Sequence, residues 1–344
     1  MKIVECIDWY YPGARSGGPI ISLHNELLNL KNPTEITVLT RNKDIDGTTY
    51  SIAEMMDFQK KIPYRVRYLK GNYRDFLLKI RAIKNSDIIK INGMYSIHFG
   101  LLFILISRFT AKKLIFIRPR GMLSTQAFKK KAVMKRYYLI FLDTLLSKTT
   151  IFLATSEQEM GDVNKYFPRF TCKIERDPTR KIVKINKDDY EKERKIKLLY
   201  SGRISKEKGV LELIRYCKLN SLGLTLVGSN NADAYYQECR EIIDDTANII
   251  YRDHLDWNNL RKIYLDSEIL ISFSFGENFG HSIYEALMLG CNVVIRTNTT
   301  IWDDFGGSVF TFNSPAGVQS AIHQARNKRN YPEYLKLVSD LRLI

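Results

Sequence analysis

The sequence predicts an α/β protein of two successive domains, each a parallel β-sheet covered by helices. Its 344 residues suit two domains of about 150 residues, each able to bury a core of its own. Short β-branched runs alternate with segments of helical periodicity, which is typical of such sheets. A charged stretch, residues 173–196, interrupts the alternation once and is predicted to be a connector. Ligands of this architecture are expected beyond the carboxyl ends of the strands, in a cleft between the domains.

The first domain is predicted to span residues 1–172. Strands are placed where aliphatic and β-branched residues run together, and helices where apolar residues recur every three or four positions. The predicted strands are residues 2–8, 35–40, 66–69, 87–91, 112–117 and 151–154. The predicted helices are residues 19–31, 73–84, 96–108, 132–147 and 156–167.

The second domain is predicted to span residues 197–327, where the same alternation restarts. Its predicted strands are residues 197–200, 224–227, 248–251, 269–272, 293–296 and 308–312. Its predicted helices are residues 208–219, 232–243, 257–265, 280–290 and 315–327. Residues 328–344 are predicted to form a C-terminal helix that packs back on the first domain.

The chain is strongly basic, with 53 Lys and Arg against 37 Asp and Glu and a net charge of +16. Residues 1–172 contain 28 basic and 14 acidic residues, an excess of +14, whereas residues 173–344 contain 25 and 23. Such a surface usually meets nucleic acid, phosphorylated small molecules or acidic lipid head groups. No nucleic-acid recognition motif is present, so nucleic-acid binding is the less favoured alternative.

The cysteines and the apolar stretches exclude several classes of protein. The five cysteines are scattered and form no C-x-x-C pair, so we expect reduced thiols and no zinc site. The chain begins directly on strand-like sequence, and its most apolar stretch, residues 99–106, is too short to cross a bilayer. We therefore expect a soluble, cytoplasmic protein.

Two turns between a strand and a helix contain residues suited to an anion. In the first domain, Gly17 and Gly18 would let backbone amides approach it closely. In the second, Arg203 can donate two hydrogen bonds to a phosphate, and Lys208 adds a charge near a helix start. A cation there opposes the helix dipole, and a bound anion would remove that conflict. The alternatives are a flexible turn and solvated surface charge.

The most informative stretch follows the predicted strand 269–272. Glu277 lies in the turn and Glu285 eight positions later in the helix, so the two carboxylates could bracket an extended ligand about 10 Å long. Carboxylate oxygens are natural acceptors for sugar hydroxyls, and the amides of residues 278–280 lie where a phosphate could bind. The alternative is that both acids merely favour the early part of the helix.

These motifs together resemble a known family. The segment 276–290, G-E-N-F-G-x4-E-A-L-x2-G, resembles the E-x7-E signature of retaining glycosyltransferases of family 4, the glycosyl transferases group 1. Residues 202–209 are similar to that family's diphosphate-binding turn, and residues 16–19 to its amino-terminal glycine loop. The resemblance spans residues 1 to about 327, including the segments 92–96, 119–123 and 300–302. It implies the GT-B fold, with two Rossmann-like domains facing each other across a cleft.

The resemblance implies a catalytic set of Glu277, Arg203 and Lys208. Arg203 and Lys208 would bind the donor diphosphate and stabilise the departing nucleoside diphosphate, and Glu277 would hold hydroxyls of the donor sugar. These cations make a metal unnecessary. The D-x-D pattern at residues 44–46, typical of metal-dependent transferases, is therefore predicted to be solvated loop charge.

The resemblance also implies a donor-binding set and no cofactor, the donor being a UDP- or GDP-linked sugar. Glu285 would hold the ribose hydroxyls, and the two glycines of the first domain would let it close over the donor phosphates. Arg120 stands where the family often has a histidine, and the connector lacks the family's Pro-Asn-Gly turn. The donor-binding residues are Gly17, Gly18, Arg120, Asn278, Phe279, Gly280 and Glu285.

The basic first domain is expected to receive the acceptor, as in the resembling family. Its cations cluster at residues 112–136 and alternate with apolar segments, 132–134 and 137–141. A basic amphipathic surface can bind anionic lipid head groups. We expect a saccharide acceptor on a lipid diphosphate carrier at the inner membrane face, in O-antigen-type or capsule-type surface-polysaccharide biosynthesis. The alternative is an ordinary helix whose apolar side packs in the core.

Two other functions fit the same two-domain build. A nucleotide-sugar epimerase would turn over the donor without an acceptor. A non-catalytic sugar-binding module would bind the donor and release no nucleoside diphosphate. Retaining glycosyl transfer is the predicted function.

Overall fold

The computed structural model describes residues 1–13, 15, 17–30, 33–109, 113–124, 128, 132–277, 279–303, 305 and 307–341. The chain divides into two compact units, Met1–Pro178 and Thr179–Ile344. Each unit contains one parallel sheet with helices beside it, so the predicted α/β class with two parallel sheets is confirmed.

The first unit contains a sheet of seven parallel strands. The strands are β1 (Ile3–Ile7), β2 (Ile36–Arg41), β3 (Arg65–Leu69), β4 (Ile88–Asn92), β5 (Leu114–Arg118), β6 (Thr150–Ala154) and β7 (Thr171–Ile174). Their order is β3-β2-β1-β4-β5-β6-β7. The helices are α1 (Gly18–Asn29), α2 (Ile52–Lys60), α3 (Tyr73–Lys84), α4 (Leu102–Phe109), α5 (Ala132–Leu145) and α6 (Glu157–Tyr166). A 3₁₀ turn, Pro33–Glu35, precedes β2, and a π-helical turn, Ile97–Leu101, precedes α4.

The core of the first unit lies on both faces of its central strands. Cys6 and Leu39 pack in one cluster with Ile89 and Ile91, whereas Val38 packs in a second cluster beneath α1. Helices cover both faces of a parallel sheet, so its strands are continuous apolar runs rather than alternating ones. This is why the sequence predicts these strands correctly.

A network of buried charges fixes residues 175–177 to the first unit. Arg118, at the end of β5, pairs with Glu26 at 2.7 Å and with Glu175 at 2.8 Å. Lys90 also pairs with Glu26 at 2.8 Å. Burial raises the pKa of Glu26, but Arg118 and Lys90 outweigh it and lower that pKa to about 2. The first unit therefore extends to Pro178, beyond the predicted boundary at residue 172.

The second unit contains a sheet of six parallel strands. The strands are β8 (Ile196–Ser201), β9 (Leu224–Val227), β10 (Ile249–Arg252), β11 (Ser267–Ser272), β12 (Asn292–Arg296) and β13 (Val309–Phe312), in the order β10-β9-β8-β11-β12-β13. The helices are α7 (Lys187–Glu191), α8 (Val210–Leu219), α9 (Ala234–Asp244), α10 (Trp257–Leu265), α11 (His281–Met288), α12 (Pro315–Asn327) and α13 (Tyr331–Leu341). A 3₁₀ turn, Lys206–Lys208, precedes α8.

The predicted connector and C-terminal helix both belong to compact structure. Residues 171–174 form β7 of the first sheet, whereas Ile185 and Tyr190 are buried in the core of the second unit. The C-terminal helix was predicted to pack on the first domain, but the structure places α13 in the second unit's core. There the Tyr334 hydroxyl donates to the Met288 carbonyl at 2.9 Å and accepts from the Ile185 amide at 3.0 Å. The core of the second unit buries the apolar residues that lie between the charged residues of the predicted connector.

Helix α2 and strand β7 are absent from the sequence prediction. No residue of α2 is fully buried, although Phe58 packs partly buried against the core beneath α1. The one sequence signal of α2 is the capping box of Ser51 and Glu54 at its start. Strand β7 lies at the edge of the sheet and is mostly exposed, so it lacks the apolar run that identifies the inner strands.

The helices of the described residues are too short to cross a membrane. None combines the length and apolar character of a membrane span. The longest of them, α5, has 14 residues, whereas a span needs about 20.

Arg194 is a fully buried cation that ties several segments of the second unit together. It is 1% exposed and donates to the carbonyls of Ser267 at 2.6 Å and of Leu289 at 3.0 Å. Gly290 leaves room for it, because a Cβ atom there would lie 3.0 Å from the guanidinium. Backbone carbonyls at the ends of β11 and α11 are thereby satisfied inside the core.

We predict that Arg194→Met lowers the free energy of unfolding by about 3 kcal/mol. The substitution keeps much of the volume but removes the guanidinium donors of two buried carbonyls, and it leaves Ser267 only the weak Cys291 thiol donor at 3.3 Å. An unsatisfied buried carbonyl costs about 1–3 kcal/mol. Urea unfolding measures the change. The matched control is Arg215→Met, which removes a surface pair with Glu238 and is expected to change stability by less than about 0.5 kcal/mol. Equal losses in both variants would contradict this role.

Candidate functional site

The candidate site lies at the carboxyl ends of β8 and β11, which are neighbours in the second sheet. The strand order reverses between them, because β8 continues to β9 on one side and β11 to β12 on the other. Open parallel sheets bind ligands beyond the strand ends at such a switch point. The turn 202–209 follows β8, and the loop 273–280 follows β11.

The structure brings Lys208 and Glu277 together, although 69 positions separate them. The Lys208 ammonium donates to both carboxylate oxygens of Glu277, each at 2.6 Å. The two side chains are 25% and 15% exposed, so the pair is partly open to a ligand. The Glu277 amide donates to the Thr299 carbonyl at 2.7 Å, which fixes the loop that presents the carboxylate.

Glycine makes the close packing of these two loops possible. Gly209 has φ 62°, and a Cβ atom there would lie 2.4 Å from the carbonyl oxygen of Phe273. The Phe275 amide donates to the Glu207 carbonyl at 3.1 Å. A side chain at position 209 would therefore push the turn away from the loop and separate Lys208 from Glu277.

Arg203 lies in the same turn and has no ion-pair partner among the described residues. Its Nε atom is buried without a hydrogen-bond partner there, and its carbonyl accepts from the Tyr200 hydroxyl at 2.8 Å. Burial raises the pKa of Tyr200 well above its usual range; Glu277 raises it further and Arg203 opposes the rise. The hydroxyl thus remains a donor that holds the turn, while the guanidinium keeps donors for an anion.

Glu285 lies inside the second unit, in α11. Its carboxylate accepts from the Tyr264 hydroxyl at 3.3 Å and pairs with the Arg180 guanidinium at 3.5 Å. Burial raises the pKa of Glu285 to about 7, although Arg180 opposes that rise. The Arg180 guanidinium also lies over the Trp257 ring, 4.3 Å from its centroid. No described contact joins Glu285 to Glu277.

Sequence reasoning missed Arg180, Tyr264 and Trp257. Arg180 lies in the charged stretch predicted to be a connector, where one cation does not differ from its neighbours. Tyr264 matches the apolar spacing of α10 and is fully buried. Trp257 begins that helix directly after its cap, Asp256. An aromatic residue at a helix start beyond a strand end was the one available signal.

The residues between the two glutamates are held by a buried tryptophan. Trp302 is 0% exposed, and its indole N–H donates to the Phe279 carbonyl. Gly280 caps α11 with φ 80°, and a Cβ atom there would lie 3.3 Å from the Trp302 indole nitrogen. Asn278 lies outside the described residues.

The predicted donor-binding residues of the first unit lie in two different settings. Gly17 has φ 80° and open space where a side chain would be, and Gly18 begins α1. Arg120 is nearly buried: its side chain is 4% exposed, pairs with Asp177 and donates to the Asn92 side-chain oxygen at 3.0 Å. Its guanidinium is thus engaged inside this unit, and its predicted contact with the donor stays a prediction.

The D-x-D pattern is only half the solvated charge that the sequence predicts, because Asp46 is exposed but Asp44 is not. Asp44 is buried and accepts from the amides of Ile45 at 2.7 Å and Arg15 at 3.4 Å. Asp46 pairs with the Arg15 side chain at 3.4 Å. Both acids stabilise the loop itself. Across the described part of the chain, no three His, Cys, Asp or Glu residues form a group that could hold a metal ion.

We predict that Glu285→Gln stabilises the fold at alkaline pH. The pKa of Glu285 rises from 4.5 to about 7 on folding, so the carboxylate destabilises the fold progressively as pH rises from about 4.5 through 7. Removing the charge should raise the free energy of unfolding at pH 8 by about 2–3 kcal/mol. Urea unfolding at pH 8 and pH 5 measures it, with little gain expected at pH 5. An equal effect at both values would contradict the shifted pKa.

Known structures share the fold of the chain. WaaG, a glycosyltransferase involved in lipopolysaccharide biosynthesis, is 13% identical, with a TM-score of 0.62 over 99% of this chain and 94% of that one. Sucrose-phosphate synthase from Thermosynechococcus elongatus is 14% identical, with a TM-score of 0.63 over 99% and 98%. A UDP-forming α,α-trehalose-phosphate synthase from Burkholderia xenovorans is 10% identical, with a TM-score of 0.67 over 99% and 96%. At these identities the likeness shows the fold alone, and it confirms the predicted GT-B class.

Sequence comparison is informative for the second unit. No curated protein matches the chain. The family model "Glycosyl transferases group 1" matches residues 183–336, which include Arg203, Lys208, Glu277 and Glu285. The resemblance is therefore confirmed at the level of group 1, and family 4 in particular stays a prediction. The second unit of this chain therefore matches the model of the glycosyl transferases group 1 family over most of its length.

Proposed function

We propose that the chain is a retaining, metal-independent glycosyltransferase that moves a hexosyl residue from a nucleoside-diphosphate sugar to a saccharide acceptor. The observation that carries the proposal is the Lys208–Glu277 pair at the switch point of the second sheet, with the unpaired guanidinium of Arg203 in the same turn. A cation for phosphate and a carboxylate for hydroxyls are the two chemistries that a sugar diphosphate requires.

In this proposal the bound donor replaces the Lys208–Glu277 ion pair with two contacts, one to its diphosphate and one to its sugar. The diphosphate takes the Lys208 ammonium and the Arg203 guanidinium, and Glu277 then accepts hydrogen bonds from the donor sugar. Breaking the anomeric bond places negative charge on the leaving diphosphate and positive character on the sugar. Cations already in position stabilise that charge. They supply the role that a divalent metal would otherwise have.

The remaining predicted residues would orient the donor. Glu285 would accept hydrogen bonds from the ribose hydroxyls of a UDP- or GDP-linked donor. Burial of this carboxylate raises its pKa, so its ionised form destabilises the fold. Destabilising ionisable groups of this kind are typical of functional sites. Phe279, Gly280 and Asn278 would offer backbone amides, and Gly17, Gly18 and Arg120 would contribute from the first unit.

We further propose that the acceptor saccharide is carried on a lipid diphosphate at the inner face of the cell membrane, in surface-polysaccharide biosynthesis. The +14 excess of residues 1–172 supports an anionic partner for the first unit. A neighbour in fold, WaaG, is described as acting in lipopolysaccharide biosynthesis. The protein would then be cytoplasmic and peripheral to the membrane.

We predict that Lys208→Ala, Arg203→Ala and Glu277→Gln each lower the rate of donor turnover by about 10²-fold or more, because each removes a preorganised charge. The rate is measured as the release of nucleoside diphosphate from UDP- and GDP-sugars, monitored by chromatography. Lys206→Ala is the matched control, since Lys206 is an exposed cation of the same turn, and it should retain most of the rate. A chelator should leave the wild-type rate unchanged.

Three outcomes would contradict these assignments. Normal turnover by Lys208→Ala and Glu277→Gln would remove the pair from the site. Conversion of the donor to an epimer with no release of diphosphate would identify an epimerase. Loss of activity in the chelator, restored by a divalent cation, would refute the metal-independent mechanism.

We predict that Glu285 discriminates between ribose and deoxyribose. Wild-type protein should bind UDP or GDP about tenfold more tightly than the 2′-deoxy nucleotide, because a hydrogen bond to a charged acceptor contributes about 1.5–3 kcal/mol. Glu285→Gln should remove most of this preference. Calorimetry at pH 8, where the carboxylate is ionised, measures both affinities. An unchanged preference in the variant would exclude Glu285 from the ribose site.

A further inference from the structure

Helix α5, Ala132–Leu145, is apolar on two opposite sides. On the inner side, Leu139 and Leu142 are buried in the core of the first unit. On the other side, five apolar side chains face solvent, and we call them the outer face. These are Val133, 71% exposed, Met134, 59%, Tyr137, 71%, Ile140, 58%, and Phe141, 50%.

The spacing of the outer face is that of one continuous helical stripe. At about 100° per residue, positions 133, 134, 137, 140 and 141 share one arc that lies roughly opposite Leu139 and Leu142. Single exposed apolar residues are ordinary on protein surfaces, but a contiguous stripe indicates an interaction site. None of the described residues covers it. The expected alternative, one apolar side packed in the core, therefore accounts for only half of the helix.

The surroundings of the outer face favour an anionic partner. Arg136 is exposed on the same helix, and the sequence places Lys129, Lys130 and Lys131 directly before it. Among the described part of residues 1–172, the buried charged side chains include four acids, Glu5, Asp44, Asp75 and Glu159, and three cations, Lys79, Arg118 and Arg120. Because more acids than cations point inward, the surface of this unit is more basic than its composition suggests.

A groove adjoins the outer face between α5 and α6. It has a volume of about 620 Å³ and is lined by Val133, Ile140 and Tyr166. Two exposed cations, Arg136 and Lys165, line it as well, and Asp143, an acid of the lining, pairs with Arg169 at 2.6 Å. Apolar walls with cations beside them match a phospholipid, whose acyl chain is apolar and whose phosphate is anionic.

We propose that the outer face of α5 inserts into the acyl-chain boundary of an anionic phospholipid bilayer, while Arg136 and Lys165 bind head-group phosphates. The inference rests on the proposed function, because it gives the surface by which the first unit would reach a lipid-carried acceptor. The outer face would add burial of apolar side chains to the electrostatic attraction between the first unit and the membrane. Binding by charge alone is screened at high salt, whereas burial of apolar side chains is not.

Vesicle co-sedimentation tests this surface. Wild-type protein should bind vesicles of mixed phosphatidylcholine and phosphatidylglycerol, bind pure phosphatidylcholine more weakly, and keep part of the binding at high salt. The double substitution Ile140→Ser with Phe141→Ser should weaken binding about tenfold or more, since each buried methylene contributes about 0.8 kcal/mol. The matched control is Ile52→Ser with Met56→Ser, which removes two equally exposed apolar side chains of α2 in the same unit.

The outcomes are distinct. Weaker vesicle binding by the α5 variant but not by the α2 variant supports the outer face as the binding surface. If thermal melting shows that the first α5 variant is unfolded, a second α5 pair, Val133→Ser with Tyr137→Ser, must show the same loss of binding. Equal binding by wild type and variants, or equal losses on α2, overturns it. A wild-type dimer in sedimentation that becomes a monomer in the α5 variant assigns the face to a second copy and also overturns it. Donor turnover without vesicles should be the same in these variants as in wild type. If the wild-type protein shows no donor turnover, the proposed function fails, whereas the vesicle result still stands.

Discussion

The candidate site depends on the close packing of two loops that follow neighbouring strands. The turn after β8 and the loop after β11 touch through backbone atoms, with the Phe275 amide on the Glu207 carbonyl and Gly209 against Phe273. Parallel pairing puts both strand ends at one edge of the sheet. Because position 209 has no side chain, the turn after β8 can pack directly against the backbone of the loop after β11. This backbone contact brings Lys208 and Glu277 within hydrogen-bond distance of each other.

Much of the fold and part of the site could be predicted from the sequence. The inner strands are continuous apolar runs, and the motif at residues 276–290 places two glutamates correctly on a turn and a helix. The sequence could not predict that Glu285 is buried beside Tyr264 and Arg180, since Arg180 comes from a stretch whose charges look alike. Likewise, Ile185 and Tyr190 enter a core although their neighbours are charged. Long-range packing decides such residues, and local pattern contains no signal for it.

Two buried glutamates, Glu26 of the first unit and Glu285 of the second, have different electrostatic surroundings. In the first, Glu26 is compensated by Arg118 and Lys90, so its ionised form stabilises the fold and its pKa falls to about 2. In the second, Glu285 has only one paired cation, Arg180 at 3.5 Å, and a tyrosine hydroxyl, so burial raises its pKa to about 7. Full compensation fits a structural role, since every charge already has its partner. Incomplete compensation leaves an acceptor that a ligand can satisfy, which is why we propose Glu285 and the unpaired Arg203 as parts of a binding site.

The net charge of +16 therefore has separate physical meanings along the chain. In the second unit, cations and acids nearly balance, so the few that matter are those whose local pairing is incomplete, above all Arg203. In the first unit, acids such as Glu159 and Asp75 turn inward to accept backbone N–H groups, which leaves the excess of cations at the surface. Cations spread over a surface attract any polyanion, nucleic acid included. An apolar stripe set among those cations does not suit a nucleic-acid backbone, which is anionic and hydrated throughout. It suits a lipid surface, where phosphate and hydrocarbon lie within one side-chain length of each other.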